Sequence, residues 1–332
     1  MIDYFRFSLL ITLPIILFLI GGINNIRSYV TFNRRKPLLI GIGHYLRITS
    51  IVNQFTLFIL ILKFAHIVLS IKSYAVDQMT NMILCKSLSY ILTCSCRMSY
   101  WLMSMVAIER VYVTWSLKGT WLKSPRISKY IIATIIIGIA SFDVHELIYY
   151  ESIEDPKSID MHNSTWCVTS YPSAIATYNQ VNIILNYIMP FLINFLSTII
   201  LIILIIRKRV TVTGKQHDNS TPKPNLTMRF RVYIDLWSKN KELVLAPSVT
   251  MLPQLFSLPQ FILSFSLACQ EFKIAWHRYL LIISYFIIYT PQVFSYQLYI
   301  RPSSFYKEEF HATKLYHKVS TLRAIIKQRL SL

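Results

Sequence analysis

Two kinds of reactive side chain bracket one apolar stretch of this chain. The thiol of Cys85 stands at one end and the pair Glu109-Arg110 at the other, with KSLSYILTCSCRMSYWLMSMVAI between them. A thiol on an oxidising side of a membrane can be joined to a second thiol. An arginine beside an acid at a low-dielectric boundary can be held by that acid or released to another partner. In a helix, Cys85 and Arg110 stand about 37 Å apart along the axis, enough to cross a hydrocarbon core of ~30 Å. Each chemistry therefore falls at its own membrane face. Other reactive patterns are lacking. Cys94-Ser95-Cys96 on a helix points its two thiols apart, and no His/Cys cluster has metal-ligand spacing. No glycine-rich phosphate loop and no nucleophile elbow occurs. The expectation is no enzyme, no cofactor and no metal.

The elements that must position these groups are membrane helices. Hydrophobic residues make up 54% of the 332 positions, charged residues 15%, and mean hydropathy is +0.46. A soluble chain of this length has neither that composition nor one core large enough to absorb it. Apolar runs of spanning length fall near 8–32, 41–69, 82–113, 128–149, 178–206, 243–269 and 276–300. Regular alternation over ~10-residue segments, the mark of a β-barrel, does not occur. The first run is not read as a secretory signal, because its basic residues Arg34, Arg35 and Lys36 follow it rather than lead it. The reading is an all-α membrane protein, a seven-transmembrane helix bundle over 1–300, with a tail over 301–332.

The net charge of +19 is not a nucleic-acid signal once it is placed along the chain. Assigning loops alternately, starting outside, puts 23 of the 34 Lys and Arg inside and 5 outside, the other 6 lying within spans. That bias sets the N-terminus outside and the C-terminus in the cytoplasm. The basic face then meets anionic lipid and acidic partners. An outer N-terminus of about seven residues leaves no room for a ligand-capturing ectodomain. The outer loop near 150–177 carries Glu151, Glu154, Asp155 and Asp160 against Lys157. The inner loop near 207–242 is polar, with Thr221-Pro-Lys-Pro224. Beyond the seventh span, Ser303 to Phe310 is expected as a short membrane-surface helix, with Phe305, Tyr306 and Phe310 dipping into lipid and Lys307 at the headgroups. Of three glycosylation sequons, at Asn163, Asn219 and Asn225, only Asn163 falls on the outer side.

Seven spans, the interval from Cys85 to Glu109-Arg110-Val111, and Trp166-Cys167 in the next outer loop together resemble the rhodopsin-like G-protein-coupled receptors, broadly those for neuropeptides. The resemblance implies a disulfide between Cys85 and Cys167, and a plasma-membrane receptor that passes the binding of an extracellular ligand to a heterotrimeric G protein. Arg110 is then the switch, held by Glu109 at rest. Asn25 after Gly21-Gly22, and Pro190, Pro259 and Pro291, fall at the family's offsets. A membrane proline frees a carbonyl and permits a bend.

The chain also departs from the family pattern. The sixth-helix motif reads Phe256-Ser257-Leu258-Pro259, without the aromatic toggle. The seventh reads Thr290-Pro291-Gln292-Val293-Phe294, without the amide and the hydroxyl. Asn53 replaces the second-helix acid, so the family's sodium site is in doubt although Ser99 is in place. The resemblance nevertheless implies switch positions at Pro259, Thr290, Pro291 and Phe294.

The ligand pocket implied by the resemblance lies along the outer half of the third helix, on Ser89, Leu92, Thr93, Cys96 and Arg97. Leu92 stands where amine receptors carry an Asp, and no Lys lies between Arg278 and Arg301 to bind retinal. The acidic outer loop favours a peptide with a basic or amidated end. Arg97 lies mid-membrane, where a lone charge is costly. Its nearest acids by depth are Asp143 and Glu146, with His145 beside them, as a structural pair or a ligand anchor. The alternatives are a seven-span transporter or ligand-gated channel, for which no internal repeat is found, and a non-coupling receptor of the same fold.

Overall fold

The computed structural model describes residues 2–39, 41–71, 77–116, 124–154, 165–169, 171–216, 255–256, 258, 262 and 275–330. Nearly all of them are helical. In chain order the elements are α1 (Ile2–Phe32), α2 (Arg35–Leu38), α3 (Gly41–Ile71), α4 (Gln78–Trp115), α5 (Pro125–Phe142), α6 (Val144–Tyr149), β1 (Tyr150–Glu154), β2 (Thr165–Thr169), α7 (Ser173–Gln216), α8 (Ala275–Val293), α9 (Ser295–Tyr299), α10 (Ser304–His311) and α11 (Lys314–Leu330). Among the described residues, five stretches are long and apolar enough to cross a membrane: Ile11–Phe32, Gly41–Ser70, Gln78–Trp115, Pro125–Tyr149 and Ser173–Leu204.

These helices are apolar nearly all round, as lipid requires. Ile16, Leu19, Ile23 and Ile26 of α1, and Leu196, Ile199, Ile200 and Ile203 of α7, are exposed on the bundle's outer surface. In water such a surface would aggregate; in a bilayer it is simply the solvated face. α4 is the exception. About two-thirds of its best apolar window is buried, against 28–39% for the other four, so it is the central post. Its polar residues Ser89, Ser95, Arg97, Ser99, Ser104 and Glu109 are affordable only because they face protein.

Two layers of side chains fill the interior. Toward the Cys85 end, Leu57, Leu60, Phe64, Leu88, Leu92, Tyr100, Phe286 and Tyr289 pack together, Phe64 stacking on Phe286 with ring centroids 4.8 Å apart. Toward the Arg110 end, Phe32, Tyr45, Leu46, Val106, Tyr299, Tyr306 and Phe310 do so. Close approach of α1 to α3 and α8 depends on Gly21, where an added Cβ would run into Leu57 and lie 3.5 Å from the Val293 backbone.

Several elements depart from the sequence-based expectation. The first helix begins at Ile2, so the residues assigned to an outer N-terminal segment are helical. The fourth apolar stretch is two helices, α5 and α6, that meet at Asp143. The seventh is also broken, α8 ending at Val293 and α9 starting after Phe294. The fifth is longer than its apolar core, Ser173–Gln216 rather than 178–206. Between α6 and α7, β1 and β2 form an antiparallel hairpin with Ser152 opposite Cys167. The tail helix α10 forms where expected, its N-cap Ser303 accepting from the Tyr306 amide. Its aromatic residues do not dip into lipid as a set, however. Tyr306 packs edge-on against Phe32 and Phe310 against Tyr296, both buried in the bundle base, and Phe305 alone is exposed. The reason is Glu309, which is buried and pairs with Arg34 at 2.8 Å and Lys36 at 3.1 Å, rotating α10 toward the protein.

Pro259, Asn163 and most of the sixth apolar run lie outside the described residues.

Candidate functional site

The break at Asp143 is the structural origin of the site. Ending one helix and starting another inside a membrane leaves carbonyls without intrahelical partners, and each must be satisfied by protein. Here neighbouring helices supply the donors. The Tyr90 hydroxyl donates to Ala140 O at 2.7 Å and the Tyr178 hydroxyl to Phe142 O at 2.9 Å, while Lys86 Nζ donates to Ile148 O at 2.9 Å at the C-terminal end of α6. His145 Nδ1 lies 3.0 Å from the Phe142 carbonyl and its Nε2 lies 3.0 Å from Asn179 Oδ1. Side chains from α4 and α7 therefore hold the break open in one conformation.

That conformation turns Asp143 and Glu146 inward onto Arg97. Asp143 Oδ1 accepts from Arg97 Nη1 in a direct ion pair and from Asn182 Nδ2 at 2.8 Å, while its Oδ2 accepts from the Cys94 thiol at 3.6 Å. Glu146 Oε1 lies 3.3 Å from Arg97 Nη2, and the Thr93 side chain stands beside the same carboxylate. The Arg97 guanidinium also lies 6.0 Å over the Tyr187 ring. Arg97, Asp143 and Glu146 are each at least 96% buried. Glu146 Oε2 and Arg97 Nε have no hydrogen-bond partner among the described residues. Two carboxylates thus face one guanidinium, which leaves a negative charge in excess when all three are ionised. An uncompensated charge in such a place is strongly unfavourable.

A ladder of asparagines on α7 extends this cluster along the membrane. Asn179, Asn182, Asn186 and Asn194 recur at helical spacing on the face turned to α4 and α6. Asn186 Nδ2 donates to Asn182 Oδ1 at 2.7 Å, and the Trp101 indole donates to Asn186 Oδ1 at 2.9 Å. One turn past Pro190, Asn194 Nδ2 donates to Ser104 Oγ and to Pro190 O, both at 2.8 Å. Sequence reasoning missed this ladder. Its signal is four asparagines at helical spacing in a largely apolar run.

The other expected positions are distributed as follows. Cys85 and Cys167 are joined by a disulfide with Cα atoms 5.8 Å apart, which fastens β2 to the start of α4. Ser89, one turn below, has its hydroxyl 3.8 Å from Cys167 Sγ. Thr93 and Arg97 line the charged cluster. Leu92 instead joins the apolar layer, and Cys96 lies there with Gln292 beside it. Tyr171, following the hairpin, packs near His145 and Tyr149. Its phenol is pushed above the ordinary value by burial and next by Glu146, so it stands neutral beside the cluster.

Ser99 donates to Asn53 Oδ1 at 2.7 Å, a neutral hydrogen bond buried between α4 and α3. Around Pro291 the Tyr100 hydroxyl donates to Ile288 O at 3.3 Å, and Gln292, turned so that both ends of its amide are satisfied, donates to Ile288 O and Tyr289 O. The Thr290 hydroxyl only returns to Phe286 O within its own helix, and Phe294 is exposed at the α8–α9 break. Asn25 accepts from Ser295 at 2.6 Å and Asn24 donates to Val293 O at 2.9 Å, stitching α1 to that break.

At the far end of α4, Glu109 is buried. Arg110 interacts electrostatically with Tyr306, Tyr299 and Glu109, and its Nη1 has no hydrogen-bond partner among the described residues. Burial pushes the Tyr306 phenol above its ordinary value, while Arg110 pulls it the other way. The tail helix α10 therefore shares an apolar layer with α4 through Tyr306 and Val106, with Arg110 within electrostatic reach of Tyr306.

The chain matches no protein-family model, and no curated protein is significantly similar to it.

Proposed function

We propose that this chain is a rhodopsin-like G-protein-coupled receptor. It has seven spans in the plasma membrane, the N-terminus outside and the C-terminus in the cytoplasm. It passes the binding of an extracellular ligand, a peptide with a basic or amidated end, to a heterotrimeric G protein. The observation that carries this reading is the double attachment of α4. One end is fixed to the hairpin through Cys85–Cys167, and the other packs through Val106 into the layer that holds Tyr306 and Phe310 of the tail helix α10, beside Arg110. A single buried helix of 38 residues thus couples a covered outer site to a basic inner face.

The cluster at Arg97 supports the ligand class. Its excess carboxylate charge is offset by a cation, and a ligand's ammonium or guanidinium group arriving beneath the hairpin supplies one at Glu146 Oε2. That cation competes with Arg97 for Glu146. Arg97 and Asp143 then shift relative to Asn182, and the shift passes along the asparagine ladder to Ser104 and Pro190. Mechanistically this is a bias between two helix arrangements, set by how differently the ligand binds each.

The test is a panel of short peptides identical except for terminal charge, read out through a promiscuous G protein in cells. Basic or amidated termini should give the response, and Glu146→Gln should reduce it at least tenfold, the equivalent of about 1.4 kcal/mol. Equal responses to acidic and basic peptides would contradict the ligand class. No response from any G protein to any peptide would count against the receptor reading.

A further inference from the structure

The chain does not end with the short helix α10. Thr313 breaks the chain and starts a second helix: its amide donates to Phe310 O at 3.0 Å, and its hydroxyl accepts from the Tyr316 amide at 3.2 Å. α11 follows for 17 residues, Lys314–Leu330, about 25 Å of helix. Its first turn is anchored. Leu315 and Tyr316 pack against the apolar layer at the bundle base, with Tyr316 5.6 Å from Phe310 and stacked 4.3 Å from His311. Phe310 belongs to the same layer as Phe32, the last residue of the first membrane stretch. α11 therefore starts at the level where the hydrocarbon ends.

Its composition is one-sided. From His311 to Leu332 there is no Asp or Glu, whereas Lys314, Lys318, Arg323, Lys327 and Arg329 are all basic. Lys314, His317 and Lys318 are exposed. Leu315, Val319, Leu322, Ile326 and Leu330 recur at intervals of four, three, four and four, which is one apolar stripe along a helix. Five cations share this element with no acid among them. A stripe of five large apolar residues beside them has no use in water.

We propose that α11 docks on the anionic lipid of the adjacent leaflet, its apolar stripe in the acyl boundary and its lysines and arginines on the acidic headgroups. Three observations select lipid over a soluble partner: the anchor at the membrane level, the absence of acids, and the continuous stripe. A basic amphipathic helix so placed is held by apolar burial and electrostatic attraction together. This proposal rests on the membrane fold alone and stands apart from the receptor reading, and in symmetric discs it does not depend on orientation.

The full chain in lipid nanodiscs provides the test, by hydrogen exchange of the 314–330 amides in phosphatidylcholine discs and in discs rich in phosphatidylserine. Exchange should be about tenfold slower in the anionic discs at low salt, and that difference should shrink as salt screens the headgroups. The combined variant Lys314→Gln, Lys318→Gln, Arg323→Gln and Lys327→Gln should exchange equally fast in both. Ser320→Gln, which alters the same helix without removing a cation, should keep the difference. Equal protection of the parent chain in both lipids would overturn the proposal. So would a lipid difference that survives in the combined variant, or protection that appears only with a soluble acidic protein or inositol phosphate.

Discussion

Arg97 of α4 and Asp143, the residue at which the fourth membrane stretch breaks, form an ion pair that is almost wholly withdrawn from solvent. The pair explains the break itself. A continuous helix through 143 would carry a carboxylate into the hydrocarbon with only its own backbone for company. Ending the helix there places Asp143 between Arg97 and Asn182 and leaves the freed carbonyls to Tyr90 and Tyr178.

Removing one member of this pair should be far worse than removing both. Asp143→Ala leaves a buried guanidinium with only Glu146 and should cost about 3–5 kcal/mol. Arg97→Met combined with Asp143→Leu and Glu146→Gln should recover much of that loss. Thermal unfolding of the purified protein in detergent checks this. Equal midpoints for Asp143→Ala and the parent would refute the structural role.

How far the site was legible in the sequence follows from this pair. That Arg97 needed a partner, and that Asp143 or Glu146 stood at the right depth, follows from the cost of a charge in lipid and needs no structure. That Asp143 breaks the helix does not follow. An apolar run reports its length, but not whether a tyrosine on another helix can satisfy a carbonyl inside it. The break at Phe294 escaped for the same reason, since it is stitched by Asn24 and Asn25, which bond Val293 and Ser295 from a distant part of the chain. The hairpin was missed because its strands are short and irregular in pattern, and their register is set by Cys167, which the disulfide holds at α4. The tail helix was legible, but the side it buries was not. That side is decided by Glu309 meeting Arg34 and Lys36, about 275 residues away in sequence.

The disulfide closes a loop of 82 residues. Cys85→Ser, Cys167→Ser and the double variant should lose the same amount, about 2–4 kcal/mol, because each removes one bond. The free partner thiol should become reactive to a maleimide in either single variant. A double variant much less stable than either single one would mean the two cysteines act separately.

Orientation can be read from sugar. With the N-terminus outside, one glycan at Asn163 is expected and none at Asn219 or Asn225. An Asn163→Gln variant should lose the only endoglycosidase-sensitive shift on a gel. A remaining shift that disappears with Asn219→Gln or Asn225→Gln would reverse the loop assignment.

Glu309→Ala should free α10 from the segment between α1 and α3, since Arg34 and Lys36 both pair with that one buried carboxylate. Hydrogen exchange over 304–311 should quicken roughly tenfold or more while α3 and α4 are unchanged, as expected for a charge-assisted hydrogen bond worth ~1.5–3 kcal/mol. Unchanged protection of α10 would show that Tyr306 and Phe310 hold it without help.

Basal nucleotide exchange tests the central claim most directly, because it needs no ligand. Parent chain, Glu109→Gln and the double variant Glu109→Gln/Arg110→Ala would each be reconstituted in nanodiscs with purified heterotrimers of each Gα class. On this account, loss of the buried Glu109 releases Arg110, so Glu109→Gln should raise exchange on at least one heterotrimer several-fold over the parent. Adding Arg110→Ala should return it to the rate of empty discs with all three proteins equally folded. Exchange at the empty-disc rate for Glu109→Gln on every heterotrimer, or exchange in the double variant as fast as in Glu109→Gln, would contradict it.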